Sequence, residues 1–355
     1  MWDTAVKNSL VFPEGSIKMN RHSNLDQIRI PRFEFPWAAS CSPAVEKVER
    51  EMIGWGLAHR LIPDEHYRSR IERTKYGWLA ARCYPQADPE LLQIIADYFL
   101  WFFLADDLFV DRVETVTPDI LSNLTAMIDV LDFDRLGPCP VYGESAWLDV
   151  CRRLRRRLSA EHFDRFAQGM RLWASTAGLQ ILNHIQSQPI TVRTYETIRR
   201  HTSGMNPCLA LADAANAGAV APDEYHSAAF HRMRRHANNV VCWSNDIQSL
   251  VVEIRQPGQF RSMVTIFAEQ SGSLQEGIDR TADRVRAEVA AFIQLSQTVE
   301  ARASREVSGF ITGLKNWMRG YQDWVDSDTG RYARAFAEQD SDDRGIPLPV
   351  VQRPF

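Results

Sequence analysis

The sequence predicts an all-α protein, a single-domain helical bundle with its ligand site between the helices, and three observations carry that prediction. From Ala44 onward apolar residues recur with the 3.6-residue period of packed helix faces. The helix-length segments are cut by prolines and turn residues at Pro63, Pro85, Pro89, Pro118, Pro138, Pro140, Pro189, Pro222 and Pro257. Strand-like alternation is nearly absent, and no internal repeat suggests a solenoid. About ten helices are expected, arranged as a bundle that can hold a pocket.

The elements follow in order. Residues 1–30 are polar and aperiodic and read as a mobile extension. The helical domain is placed at residues 31–340, without a linker inside it, and residues 341–355 read as a tail. The segment from Leu91 to Asp111 is apolar on every side through Leu100–Ala105, the mark of a helix buried all round. Asp106, Asp107 and Asp111 close it. Asp107 and Asp111 share a face, Asp106 is about 100° away, and uncompensated carboxylates there are costly. A divalent cation such as magnesium, which takes oxygen ligands and substrate phosphates, relieves that cost. Phe102 and Phe103 each precede one of these acids by four residues, so an apolar wall lies one turn below a charged rim. Taken alone, three acids also fit a solvated helix end.

Further along, Gly204 and Pro207 interrupt an otherwise helical stretch, and a break there frees carbonyls toward the pocket. From Asn238 to Arg255, Val240, Trp243, Ile247, Leu250 and Ile254 form a buried helix face. Asn245, Ser249 and Glu253 lie opposite, within an arc of roughly 80°, flanked by Val241 and Val252. A polar stripe between apolar flanks reads as a cavity wall. An amide oxygen, a hydroxyl and a carboxylate, one per turn, make a chelate for a hard divalent ion.

Composition narrows the function classes. The formal net charge of −4 argues against nucleic acid as the main partner, and the cluster Arg152, Arg153, Arg155, Arg156, Arg157 reads as a solvated helix face. Six scattered cysteines without a CxxC pair suggest neither a zinc site nor a disulfide framework, which fits a reducing, cytoplasmic setting. No signal-peptide core and no run of 18 uncharged apolar residues is present, so no membrane span is expected.

Asp106-Asp107-x-x-x-Asp111 followed 139 residues later by Asn245-Asp246-x-x-Ser249-x-x-x-Glu253 resembles the paired metal motifs of class I terpene synthases of the microbial single-domain type. The resemblance runs from Phe33 to Phe336. It implies the class I terpenoid synthase α fold with an aromatic-lined cavity, and an enzyme that ionises a linear prenyl diphosphate and cyclises the carbocation. Farnesyl diphosphate is the common substrate for chains of this type, with geranyl and geranylgeranyl diphosphate as alternatives. The implied cofactor is Mg2+, three ions, with Mn2+ as a substitute, and the implied assembly is a homodimer.

The resemblance also assigns residues. Arg199, 46 residues before Asn245, matches the family's pyrophosphate-sensing arginine, although Arg200 adjoins it. Thr202 and Ser203 match the linker and effector positions, with Gly204 beside them. Arg331 and Tyr332 match the pair that closes over the diphosphate, and Trp324 the cavity tryptophan seven residues earlier, with Trp317 before it. Phe102, Phe103 and Trp324 are the expected cation-π contacts. Two departures stand out: Val252 occupies a position where many relatives carry lysine, and Gln256–Ser262 matches the usual pattern poorly. A chain-elongating prenyl diphosphate synthase would need a second aspartate-rich motif, and a non-catalytic helical ligand-binding protein would not need two sets of oxygen ligands.

Overall fold

The computed structural model describes residues 28–109, 119–185, 190–254 and 261–333. The expected extension up to residue 27, Asp111 and the expected tail from residue 341 lie outside the described residues. Among those described, every regular element is a helix: α1 (Val45–Ala58), α2 (Glu65–Thr74), α3 (Tyr76–Cys83), α4 (Pro89–Phe109), α5 (Asp119–Phe133), α6 (Glu144–Arg157), α7 (Ala160–Ile185), α8 (Val192–Thr202), α9 (Met205–Ala210), α10 (Pro222–Tyr225), α11 (Ala228–Gln248), α12 (Leu250–Glu253), α13 (Met263–Ser271), α14 (Leu274–Glu300) and α15 (Arg305–Ser327). Ten of these have ten residues or more. The other five are short pieces that bend the path, below what the periodicity resolves. None of the described helices is long and apolar enough to cross a membrane.

Helix α4 is the axis of one half. Asp88 caps it, its carboxylate accepting from the amides of Glu90 and Leu91 (both 3.1 Å), and Pro89 takes the first helical position, where no N–H is needed. Leu92, Ile95, Ala96, Tyr98 and Leu100 are fully buried against α1, α3 and α6. Helix α11, capped by Ser227, is the axis of the other half and packs on α14, α15 and α9. Before α1 the chain is irregular, yet it docks Phe33 and Phe35 into the core.

Of the α6 arginines, Arg152, Arg156 and Arg157 are exposed as expected, but Arg153 and Arg155 are not part of a solvated face. Arg153 Nη1 pairs with the buried Asp97 of α4 at 2.8 Å, while Arg155 Nη2 donates to the carbonyl of Leu131 at 2.5 Å. Guanidinium forks suit such stapling because they carry several fixed donors.

Candidate active site

One cavity, about 1600 Å³ counted with its open mouth, lies between the two halves. Its first wall is α4. Phe102 and Phe103 line it with Asp106 and Asp107 a turn above, joined by Phe99, which shares their helix face. Trp173 of α7 packs at 5.1 Å on the Phe102 ring and donates its indole N–H to Asp106 Oδ1 at 3.1 Å. Tyr76 stacks on Phe103 at 4.3 Å.

The second wall is α11 with α12. Asn245, Ser249 and Glu253 line it with Val241 and Val252, the flanking residues the helical angles place there. The helix is not continuous across this stripe: it breaks at Ser249. Ser249 Oγ donates to the carbonyl of Asn245 at 2.6 Å, and such back-bonding bends helices. The hydroxyl proton is thereby placed on the backbone and the oxygen lone pairs remain for a cation.

Arg199 of α8 lines the cavity and Arg200 does not, which settles the orientation of the adjacent pair. Arg199 Nη2 donates to Asn245 Oδ1 at 2.6 Å, and its Nε donates to Asp246 Oδ1 at 3.1 Å. Burial works against the Arg199 charge, but the Asp246 carboxylate reverses this and holds its pKa well above the usual range. Asp246 also accepts from Tyr195 (2.5 Å) and from the amide of Met263 (3.0 Å). The aspartate inside the second motif is therefore a structural anchor for the arginine and is fully engaged.

Between α8 and α9, Gly204 adopts φ +70° and Thr202, Ser203 and Gly204 all line the cavity. The expected break is made by Gly204 alone. Pro207 sits in the first turn of α9, where its missing N–H costs nothing. The carbonyl of Arg200 does not turn to the pocket: it accepts from Asn206 and Asn238 at 3.2 and 2.9 Å.

The segment after α15 ties the walls together. Arg331 forks onto Asp107, Nη2 to Oδ1 at 2.6 Å and Nη1 to Oδ2 at 3.0 Å, and also donates to Tyr76. Burial opposes the Arg331 charge, and Asp107 with Tyr76 more than offsets it, leaving its pKa well raised. Tyr332 OH accepts from Asn245 Nδ2 at 2.9 Å, as does Tyr321 OH at 3.2 Å. Adjacent residues thus reach one wall each. Trp317 lines the cavity.

The expected cavity contact of Trp324 requires correction. Its ring is fully buried behind the lining, 5.9 Å from Tyr332, 6.0 Å from Tyr321 and 6.4 Å from Phe103. A buried indole N–H needs an acceptor, and the carbonyl of Lys75 at 2.8 Å provides it away from the pocket. The ring that lines the cavity in this region is Tyr321, whose spacing of four residues from Trp317 could have revealed it. Asn183, Gln180 and Arg261 also line it and carried no sequence signal.

Among the described residues no three His, Cys, Asp or Glu side chains gather closely enough to hold a metal by themselves. The donors that do share the cavity, Asp106, Asp107, Asn245, Ser249 and Glu253, are all oxygen donors on two facing walls. Such a set fits a hard divalent ion whose shell is completed by ligand oxygens.

Comparison with known proteins identifies the class. The sequence model of the family described as "Terpene synthase family 2, C-terminal metal binding" matches residues 97–291. The fold is that of all-α class I terpene synthases: a structure of the ancestrally reconstructed SVS_A2 protein superposes with TM-score 0.77 at 23% identity, over 84% of this chain and 90% of that one. Hedycaryol synthase in complex with nerolidol superposes with TM-score 0.71 at 20% identity, over 84% and 99%. The chain belongs to the terpene synthase family. It is 61% identical to a sesquiterpene synthase of Metarhizium brunneum, over 92% of this chain and 96% of the relative. It is 59% identical to the farnesyl diphosphate-cyclizing (+)-corvol ether B/(+)-corvol ether A synthase of Kitasatospora setae, over 89% and 99%.

Proposed function

We propose that this protein is a magnesium-dependent sesquiterpene synthase that ionises (2E,6E)-farnesyl diphosphate and cyclises the carbocation to a sesquiterpene hydrocarbon or alcohol, releasing diphosphate. The observation that carries the reading is the sharing of one cavity by two oxygen-donor walls together with the rings of Phe99, Phe102, Phe103, Trp317 and Tyr321. Relatives named as sesquiterpene synthases support the fifteen-carbon substrate. Asp106 and Asp107 on one side, and Asn245, Ser249 and Glu253 on the other, would hold the magnesium, which supplies Lewis-acid stabilisation of the leaving diphosphate when bound, and Asp111 completes the first motif in the sequence.

The chain's own residues do the rest. Arg199 and Arg331 present planar guanidinium forks suited to bidentate phosphate binding. Binding of a diphosphate to Arg331 competes with its fork onto Asp107, so arrival of the substrate releases that carboxylate for ligand duty. Tyr332, bonded to Asn245, helps close the mouth against water. Phe102, Phe103 and Trp317 face the hydrocarbon, each desolvated cation-π contact contributing about 2 kcal/mol.

The test is incubation of the purified protein with geranyl, farnesyl or geranylgeranyl diphosphate and magnesium, followed by gas chromatography and mass spectrometry. A fifteen-carbon product from the farnesyl substrate is expected, with Glu253→Ala inactive and its helical circular dichroism unchanged. A product from the ten- or twenty-carbon substrate alone would move the assignment of chain length. No terpene from any of the three would overturn the proposal.

A further inference from the structure

The corner where α8 passes into α9 joins the polar and the hydrocarbon parts of the cavity. Arg199, in the last turn of α8, is anchored by Asp246 and Asn245. Gly204, five residues later, lies against the Phe102 ring. The stretch between them is held by another side chain of α11, Asn238, which is 1% exposed and stands seven residues before Asn245.

Asn238 directs its whole hydrogen-bonding capacity at this corner. Its Nδ2 donates to the carbonyl of Arg200 at 2.9 Å and to Asn206 Oδ1 at 3.2 Å. Its Oδ1 accepts from Cys242 Sγ at 2.7 Å and, more loosely, from Ser203 Oγ at 3.4 Å. A primary amide has two donors and two acceptor lone pairs, so none is left over. Asn206 Nδ2 donates to the same Arg200 carbonyl at 3.2 Å, and Ser203 Oγ accepts from the amide of Met205 at 3.2 Å. Turning the Asn238 amide over would set its oxygen against the Arg200 carbonyl, so the buried network has a single arrangement.

Ser203 and Cys242 line the cavity, whereas Asn238 and Asn206 stand behind the lining. A carbonyl, hydroxyl or thiol that faces a carbocation can take its proton or add to it, and an active site has to suppress such side reactions. We propose that Asn238 is a positioning residue for the cyclisation: by clamping the Arg200 carbonyl and the side chains of Ser203 and Cys242, it fixes the α8–α9 corner against Phe102, so that the cation is folded before it is quenched. The proposal rests on the terpene synthase reading above. Asp246 still holds Arg199 when the clamp is removed. Capture of the diphosphate and control of the cation are therefore separable.

The experiment is steady-state turnover of farnesyl diphosphate with magnesium by the full chain, with product profiles from gas chromatography and mass spectrometry, for wild type, Asn238→Ala and Asn206→Ala. Amide hydrogen exchange is followed in peptides covering residues 199–206 of the same proteins. Asn238→Ala is expected to lower kcat about tenfold with KM within about twofold, and to raise the share of acyclic products several-fold. Exchange across the corner should quicken about tenfold. Asn206→Ala removes one donor to the Arg200 carbonyl from behind the lining and should shift products the same way, by about twofold. It also keeps the question answerable if Asn238→Ala does not fold. Faster exchange with a wild-type product profile would make Asn238 a structural residue only and overturn the proposal. So would a raised KM with unchanged products, which would place the effect at Arg199, or unchanged exchange and products in whichever variants fold. A wild type that forms no terpene would instead count against the reading of the overall function, and exchange, which needs no turnover, would still decide whether Asn238 holds the corner.

Discussion

The two walls of the cavity handle their buried charge differently. On α4, Asp107 keeps a side chain 23% exposed and pairs with Arg331, which comes from the segment after α15. On α11, Asp246 is 2% exposed and joined to Arg199, Tyr195 and the amide of Met263, three partners from α8 and the start of α13. The α4 acid can exchange its partner for a ligand. The α11 acid is fixed, and its rigidity is what presents Asn245, Ser249 and Glu253 in register. One wall is therefore built to rearrange and the other is preorganised.

Breaking the comparison begins with the largest effect. Asp246→Ala leaves Arg199 buried without its counter-charge and should cost about 3–5 kcal/mol of stability together with turnover. Asp107→Ala should remove turnover as well, yet lower stability by less, about 1–2 kcal/mol, because the Asp107 side chain is 23% exposed, so water can take its place, and Arg331 keeps its bond to Tyr76. Urea unfolding measured beside turnover for the two variants checks this. Equal stability losses would show that the walls do not differ in the way described.

The next effect falls where the two halves touch. Gly204, at φ +70°, faces the ring of Phe102, and a Cβ there would lie 2.3 Å from Phe102 Cζ. Gly204→Ala combines left-handed backbone strain with that clash and should destabilise by about 2 kcal/mol or more. It should also shift the product ratio seen by gas chromatography, because the ring that must move is a cavity wall. A stable variant with an unchanged product would mean that Phe102 does not shape the pocket.

These contrasts also mark what the sequence made legible. All-round apolarity identified α4 as a central helix, and angular position alone gave the stripe of Asn245, Ser249 and Glu253 with Val241 and Val252 beside it. Both are local properties of one helix. Trp324 was misplaced because it was assigned by its position seven residues before Arg331 in the family pattern, which does not say whether the ring lines the cavity or packs behind the lining. Asp246 was legible as part of a motif and illegible in its contacts, which come from Tyr195, Arg199 and Met263, far apart in sequence. Arg261 and Asn183 meet only once α7 and α13 are packed. Arg153 looked like part of the wet face of α6 because its partner, the buried Asp97, lies on another helix.

The smallest effect probes the support of the α4 wall from behind. Tyr76 stacks on Phe103 and bonds Arg331, and it opens α3, whose second residue, Gly77, donates its amide to Glu49 Oε2 of α1 at 2.8 Å. Gly77 permits that contact, since a Cβ would meet the carboxylate oxygen at 2.6 Å. Burial pushes the Glu49 pKa from its ordinary 4.5 up to about 7, with Lys75 and the amides of Gly77 and Trp78 acting against the shift and Glu46 adding to it. The folded pKa is the higher one, so between pH 4.5 and 7 the unfolded chain loses a proton that the folded chain keeps. Stability from this group is complete below that window and declines through it, reaching its floor above pH 7. Asp97, likewise raised to about 7 by burial, with Arg153 opposing, adds a slope of the same sign. Glu49→Gln preserves the hydrogen bond from Gly77 and removes one ionisation, so its melting temperature should fall less than that of wild type between pH 5 and 8, by about 1–3 °C. Parallel melting curves for the two proteins across that range would locate the proton uptake elsewhere and leave Glu49 as a simple cap of α3.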